Sequence, residues 1–280
     1  MPLTQEAALA ALGKVVAPDL ELPLTELNRV RDLQIQGNAV SLTVEITSPF
    51  REQLGAAVRA ALQSAGAAEV QISWDLQIPA RTILEDDPSP GVKNIVLVMS
   101  GKGGVGKSTV AANLTLALSR AGAKVALLDA DMYGPSVPTM FGVMGRPTSA
   151  DGQKFLPLER FGVKLMSIGF LLEDARQAVV WRGPMLQNAL LQFMRDVDWG
   201  GLDYLILDLP PGTGDVVLTI SQKLRTTGAV IVTTPQEVAL QDVYKSVSMA
   251  QKVGIPLLGV VENESYFVCD GCSKRHELFG

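Results

Sequence analysis

Between positions 101 and 109 the chain reads Gly101-Lys102-Gly103-Gly104-Val105-Gly106-Lys107-Ser108-Thr109. Glycines at this spacing let the backbone bend until several N–H groups converge, an arrangement that cradles phosphate oxygens. Lys107 then supplies positive charge to the outer phosphates, and the Ser108 hydroxyl is placed to ligate Mg2+. The chemistry predicted is binding of ATP with magnesium. Lys102 is a second lysine in the loop, where a solvated side chain at a loop tip is the plain alternative.

Aspartates stand where such a site needs acids. Asp208 ends the apolar run 204–207 and opens Leu209-Pro210-Pro211-Gly212-Thr213-Gly214-Asp215, so it suits the carboxylate that holds the magnesium shell. Asp129 and Asp131 end another apolar run, at 125–128, and one of them is expected to orient the attacking water. A single strand-end aspartate serves as a cap or turn at least as often. Three at one sheet edge beside a glycine loop favour chemistry.

The chain's only cysteines, Cys269 and Cys272, form a Cys-x-x-Cys pair. Two thiolates hold one edge of a metal but supply half of a four-sulfur shell, so a tetrahedral sulfur site needs two chains. This predicts a symmetric homodimer with a bridging cluster. Zinc held with His276, the only histidine, or a simple dithiol are the alternatives left open by the spacing.

The elements that must position these residues follow from periodicity. Short apolar runs at 95–99, 125–128, 164–168, 204–207, 229–232 and 257–261 suit buried parallel strands, mostly separated by helical segments. The glycine loop follows the first of them and opens a helix expected over 109–121, stopped by Gly122. Strand and helix alternating this way predict an α/β fold, a mostly parallel sheet covered by helices on both faces, with ligands at the carboxyl ends of the strands. Before it, helical spacing at 5–15 and 51–64 and strand alternation at 40–46 and 70–74 predict a small α+β domain. The expected division is a small domain over 1–82, a linker over 83–92 rich in acid, proline and glycine, and the P-loop domain over 93–280.

With 47% hydrophobic and 19% charged residues, the 280-residue chain has the apolar content of a folded protein. Its net charge of −5 argues against nucleic acid as a partner. No stretch approaches the roughly 20 apolar residues of a membrane span, and no signal segment is read at the N-terminus, so a cytoplasmic protein without a membrane partner is expected.

Six segments in order, the loop at 102–108, 129–136, Trp181-Arg182-Gly183-Pro184-Met185, 208–215, Val261-Glu262-Asn263 and the cysteine pair, resemble the Mrp/ApbC iron–sulfur cluster carrier family. The resemblance covers about residues 93–280, and the region before it is similar to the small domain common in iron–sulfur assembly proteins. It implies a P-loop NTPase of the deviant class related to MinD and ParA, a homodimer with ATP near the subunit interface and slow hydrolysis. Lys102 would be the signature lysine that reaches the partner's nucleotide, with Lys107, Asp131 and Asp208 completing the catalytic set. Asn263 would contact adenine, a strand-end turn being its plain alternative, and Trp181 with Arg182 would sit at an interface. Cys269 and Cys272 would carry a [4Fe–4S] cluster between subunits, received from an assembly scaffold and passed to acceptor apoproteins.

Three departures stand out against that family. Glu264 follows Asn263 where an apolar residue is usual, and Arg51 stands near a position where relatives often have cysteine, so the small domain is not expected to ligate metal. Relatives usually continue past position 280, so the chain is expected to be shortened at its C-terminus, with part of the nucleotide pocket missing. Two other functions compete with the carrier. An ATP-switched positioning protein of the MinD or ParA type wants a basic tail or surface and has no need of the thiols. A zinc-stabilised ATP-binding module would use them without iron.

Overall fold

The computed structural model describes residues 3–48, 51–131, 134–149, 152, 154–171, 183–212 and 214–278. The chain divides after Pro79 into two units. In the first, the Thr4 hydroxyl accepts the Ala7 N–H at 3.2 Å and so caps α1 (Gln5–Leu12). A short antiparallel pair, β1 (Val16–Ala17) and β2 (Leu22–Pro23), leads to β3 (Val30–Gln36) and β4 (Ala39–Ile46). These last two form a hairpin through Gly37, whose φ of +61° suits a residue without Cβ. Helix α2 (Glu52–Ser64) then crosses over to β5 (Glu69–Leu76), which pairs parallel with β4.

Strand β4 buries Val40, Leu42, Val44 and Ile46 on one side, and they pack with Leu12 of α1 and Val58 and Leu62 of α2. Truncating Leu62 to Ala would cost about 2–5 kcal/mol. Arg29 grips both oxygens of Asp19 at 2.8 Å, and this pairing, aided by Thr47, outweighs burial and holds the Asp19 carboxyl well below its usual range.

The second unit is built on seven strands. β6 (Val92–Met99) feeds α3 (Lys107–Arg120) and β7 (Val125–Asp129). After α4 (Val137–Phe141) come β8 (Leu158–Arg160), β9 (Val163–Ser167) and α5 (Gly183–Asp196). The chain continues through β10 (Leu202–Asp208), α6 (Gly214–Lys223), β11 (Gly228–Thr233), α7 (Glu237–Lys252) and β12 (Leu257–Glu262). The order across the sheet is β12-β11-β6-β10-β7-β9-β8, and only β8 runs antiparallel to its neighbour. All six expected strands are present in this fold; β8 is the addition, three residues too short to show a period.

Ile95, Leu97 and Met99 of β6 share a core with Leu190 and Phe193 of α5 and Val217 and Ile220 of α6. The alternate residues face the other side of the sheet, where α3 packs over β6, β7 and β10. From β6 the chain crosses to β7 on one side, while β11 lies on the other, so a crevice opens above their carboxyl ends. Register sets Asp208 beside both Asp129 and Val98, which brings the two acids to the loop that follows β6.

The stretch expected as a linker is partly packed on this unit. Arg81 and Asp87 form a buried ion pair, and the Ser89 hydroxyl donates to the Met194 carbonyl at 2.6 Å. Its acid and proline content hid this, because one buried carboxylate with a dedicated arginine leaves no periodic trace in sequence.

Candidate functional site

Helix α3 begins at Lys107, two residues before the expected start, so Lys107 and Ser108 lie on its first turn. Gly106 precedes it at φ +81° and Gly104 lies at φ +80°, left-handed positions that glycine adopts without strain. At Gly106 a Cβ would also stand 2.2 Å from Asn263 Nδ2. The loop and helix N-terminus therefore present backbone N–H groups and positive dipole to one cleft of about 260 Å3. Lys102, Lys107, Ser108, Thr109 and Asp131 line it with Gly103, Gly104 and Gly106, whereas Gly101, Val105, Asn263 and Asp208 are not among its lining residues. Gly101 is backed by α7 so closely that a Cβ would lie 2.3 Å from that of Asp242.

Lys107, 6% exposed, donates to Asp208 Oδ1 and sits 3.9 Å from Asp131 Oδ2. Asp208 is fully buried, and its second oxygen has no hydrogen-bond partner among the described residues; the Ser100 hydroxyl is in the same state. An unpaired buried oxygen costs about 1–3 kcal/mol, a cost that a bound cation with its water shell would relieve. The donor set of Ser108 hydroxyl and aspartate oxygens suits Mg2+.

The two acids at the end of β7 separate in role. Asp129 is buried, and its Oδ2 accepts from Ser136 N–H and Val137 N–H at 3.1 Å and Ser167 hydroxyl at 3.0 Å. Its Oδ1 accepts from Asp131 N–H at 3.1 Å. Burial first, and the charge of Asp208 second, push this carboxyl up to about 7 against those donors. Asp129 thus fastens the loop that leads to α4, whereas Asp131 lines the cleft.

Two further placements join residues far apart in sequence. Lys102 Nζ donates to Gln236 Oε1 at 2.9 Å, and Gln236 is the cap residue of α7. Asn263, just past β12, donates from Nδ2 to the Val105 carbonyl at 3.0 Å. Nothing in the sequence singled out Gln236, Ser167 or Ser100, whose parts depend on contacts across more than one element.

Cys269 and Cys272 occupy the turn between β13 (Tyr266–Val268) and β14 (Arg275–Glu277), an antiparallel pair. Cys269 N–H donates to the Lys274 carbonyl at 3.0 Å, and Ser273 N–H donates to the Cys269 carbonyl at 2.7 Å. The N–H groups of Gly271, then of Cys272, draw the Cys269 thiol below its ordinary value, as suits a metal-binding thiolate. The Arg275 guanidinium lies 4.0 Å over the Tyr266 ring and braces the hairpin. Among the described residues no three of histidine, cysteine, aspartate and glutamate gather as a metal group. Trp181 and Arg182 lie outside the described residues, and no described helix is long and apolar enough to cross a membrane.

Comparison with known proteins gives two matches along the chain. The description of a NUBPL iron-transfer P-loop NTPase, of the ParA group, fits residues 91–280, and that of an iron–sulfur cluster assembly protein fits residues 5–74. The chain is 43% identical to the iron–sulfur cluster carrier protein of Aquifex aeolicus, over 97% of this chain and 81% of that one. It is 47% identical to the protein of that name from Deinococcus radiodurans, over 98% and 79% of the two chains. Among solved structures, a nucleotide-binding protein from Archaeoglobus fulgidus in complex with ADP matches with a TM-score of 0.59 and 44% identity, over 68% of this chain and 74% of that one. The chain belongs to the family of NUBPL iron-transfer P-loop NTPases, the Mrp/ApbC-like group that its motifs resemble, with an iron–sulfur cluster assembly region ahead of the NTPase unit.

Proposed function

We propose that this protein binds and slowly hydrolyses ATP and carries a [4Fe–4S] cluster between two copies of the chain, passing it to acceptor apoproteins. The observation that carries the reading is the hairpin at 266–277: two thiols, one drawn toward thiolate by backbone N–H groups, and no third ligand grouped with them among the described residues. A second chain would complete the four-sulfur shell. The naming of its relatives as iron–sulfur cluster carrier proteins supports the cargo. The acceptors, an assembly scaffold that loads the cluster, and a cytoplasmic setting without nucleic acid or membrane belong to the same proposal.

In hydrolysis, water attacks the γ-phosphorus, the bond from that phosphorus to the bridging β–γ oxygen breaks, and ADP with inorganic phosphate leaves. Asp131 orients the water, Lys107 and the α3 N-terminus hold the phosphates, and Lys102 reaches the partner's nucleotide. Ser108 and Asp208 would hold magnesium, which supplies charge neutralisation to the phosphates. Nucleotide state then shifts the dimer between arrangements that hold and release the cluster.

Anaerobic reconstitution with iron and sulfide tests the reading. Iron per dimer should be cluster-like for the native chain and largely lost in Cys269→Ala. Equal iron in both would sink the carrier, and ATP binding without iron uptake would favour the ATP-switched positioning protein.

A further inference from the structure

The nucleotide loop and the cysteine hairpin are joined in this fold by one side chain. Asn263 Nδ2 donates to the Val105 carbonyl at 3.0 Å and lies so close to Gly106 that a Cβ there would fall 2.2 Å away. The contact is made to the very peptides that turn the loop into α3. Any ligand that captures the N–H groups of this loop must settle those peptides, and so acts on the group Asn263 holds.

On its other side Asn263 leads directly into the hairpin. Its own N–H donates to the Thr233 carbonyl at 2.7 Å and fixes the end of β12 against β11. The following turn is tightly tied: Glu264 sits at φ +56°, a left-handed position uncommon for a residue with a Cβ. The Ser265 hydroxyl reaches back to the Glu262 carbonyl at 3.2 Å and its carboxylate at 2.8 Å. Leu278 N–H then donates to the Ser265 carbonyl at 3.3 Å, closing the base of the hairpin whose tip bears Cys269 and Cys272.

We infer that Asn263 is a positioning residue that couples the nucleotide loop to the cysteine hairpin, so that occupancy of the phosphate site changes the setting of Cys269 and Cys272. The inference rests on the proposed carrier function for its purpose, though the coupling itself concerns only this chain's backbone and thiols. Asn263 acts from the Val105 carbonyl on one side and through the tied turn at 262–265 on the other.

The test is the alkylation rate of Cys269 and Cys272 by iodoacetamide, resolved by peptide mass, in the reduced, metal-free full chain. Rates are compared without nucleotide and with MgATP or MgADP well above each variant's own measured Kd. In the native chain one of the nucleotides should change the rate by about fivefold, the low end of usual coupling between two sites. In Asn263→Ala the ratio should fall to about one, since the link to the loop is cut. Ser265→Ala loosens the turn without touching the loop, and should also lose the response while binding ATP as tightly as the native chain.

A native chain whose thiols ignore nucleotide, or variants that keep the full response, would overturn the coupling. Iron uptake is measured on the same samples. Normal iron with no nucleotide effect refutes the coupling and leaves the carrier standing, whereas absent iron with a nucleotide effect does the reverse.

Discussion

Lys107 and Asp208, 101 positions apart, form a buried ion pair at the carboxyl edge of the sheet, and the carboxylate keeps a second oxygen without a partner among the described residues. The lysine therefore neutralises Asp208 and would also neutralise phosphate when nucleotide binds.

Lys107→Ala should abolish magnesium-dependent ATP binding and also destabilise the nucleotide-free protein. Removing one partner of a buried pair leaves the other charge stranded, which costs about 3–5 kcal/mol. Replacing both, as Lys107→Met with Asp208→Leu, should recover much of that stability and none of the binding. Urea unfolding and titration with a fluorescent ATP analogue separate the two effects, and undiminished ATP binding by Lys107→Ala would show that the phosphates lie elsewhere.

Asp129 gives the stability a pH dependence of known sign. Its carboxyl is raised from 3.8 to about 7 in the fold, chiefly by burial and then by Asp208. A raised carboxyl favours the folded state while protonated, so its contribution is complete below about pH 4 and is lost as pH rises toward 7. Lys107, Asp131 and Asp208 are the charged groups at this edge, and Ser167 adds its hydroxyl. The margin of the nucleotide-free native chain over Asp129→Asn should thus shrink by about 4 kcal/mol between pH 4 and pH 8. A margin that stays flat or grows with pH in urea unfolding would contradict the burial of an acid here.

Arg81 and Asp87 anchor the start of the second unit, with side-chain exposures of 2% and 0%. Arg81→Ala should lower the stability of that unit by about 3–5 kcal/mol, because Asp87 is left charged and unpaired in the interior. Ser89→Ala, which removes only the bond to the Met194 carbonyl, should cost about 0.5–1.5 kcal/mol. Urea midpoints for the unit read both, and equal small losses would mean that the pair is solvated.

These residues also mark what sequence could and could not show. The phosphate loop was legible because its glycines, lysine and serine are consecutive, and the six strands because each is a continuous apolar run of sufficient length, buried in five of them and largely exposed in β12. Strand β3 escaped notice: a register shift between Arg31 and Gln34, with Asp32 at φ +50°, breaks the alternation that would announce it. Hairpin β13–β14 escaped because three-residue strands carry no period. The distinction between Asp129 and Asp131 was out of reach as well, since it is decided by N–H groups from Ser136 and Val137 and a hydroxyl from Ser167, none of which spacing can assign to a carboxylate.

The contact between Lys102 and Gln236 supplies a prediction with opposite signs in two variants. Lys102 Nζ is held at 2.9 Å by a neutral amide oxygen of its own subunit, 134 positions away, whereas its proposed task is to reach the partner's nucleotide. The bond must then break before the lysine can act. Gln236→Glu replaces the amide with a carboxylate, roughly doubling the strength of the hydrogen bond to an ammonium, so the lysine should be retained and ATP turnover should fall. Gln236→Ala removes the acceptor, and turnover should hold or rise. Lys102→Ala should lower turnover by roughly 10²–10³-fold, the scale of losing one charge-stabilising donor, with ATP affinity little changed. Steady-state phosphate release, with ATP binding measured separately, reads all three; a purely structural Gln236 would lower turnover in both of its variants, which would remove the retained lysine from the mechanism.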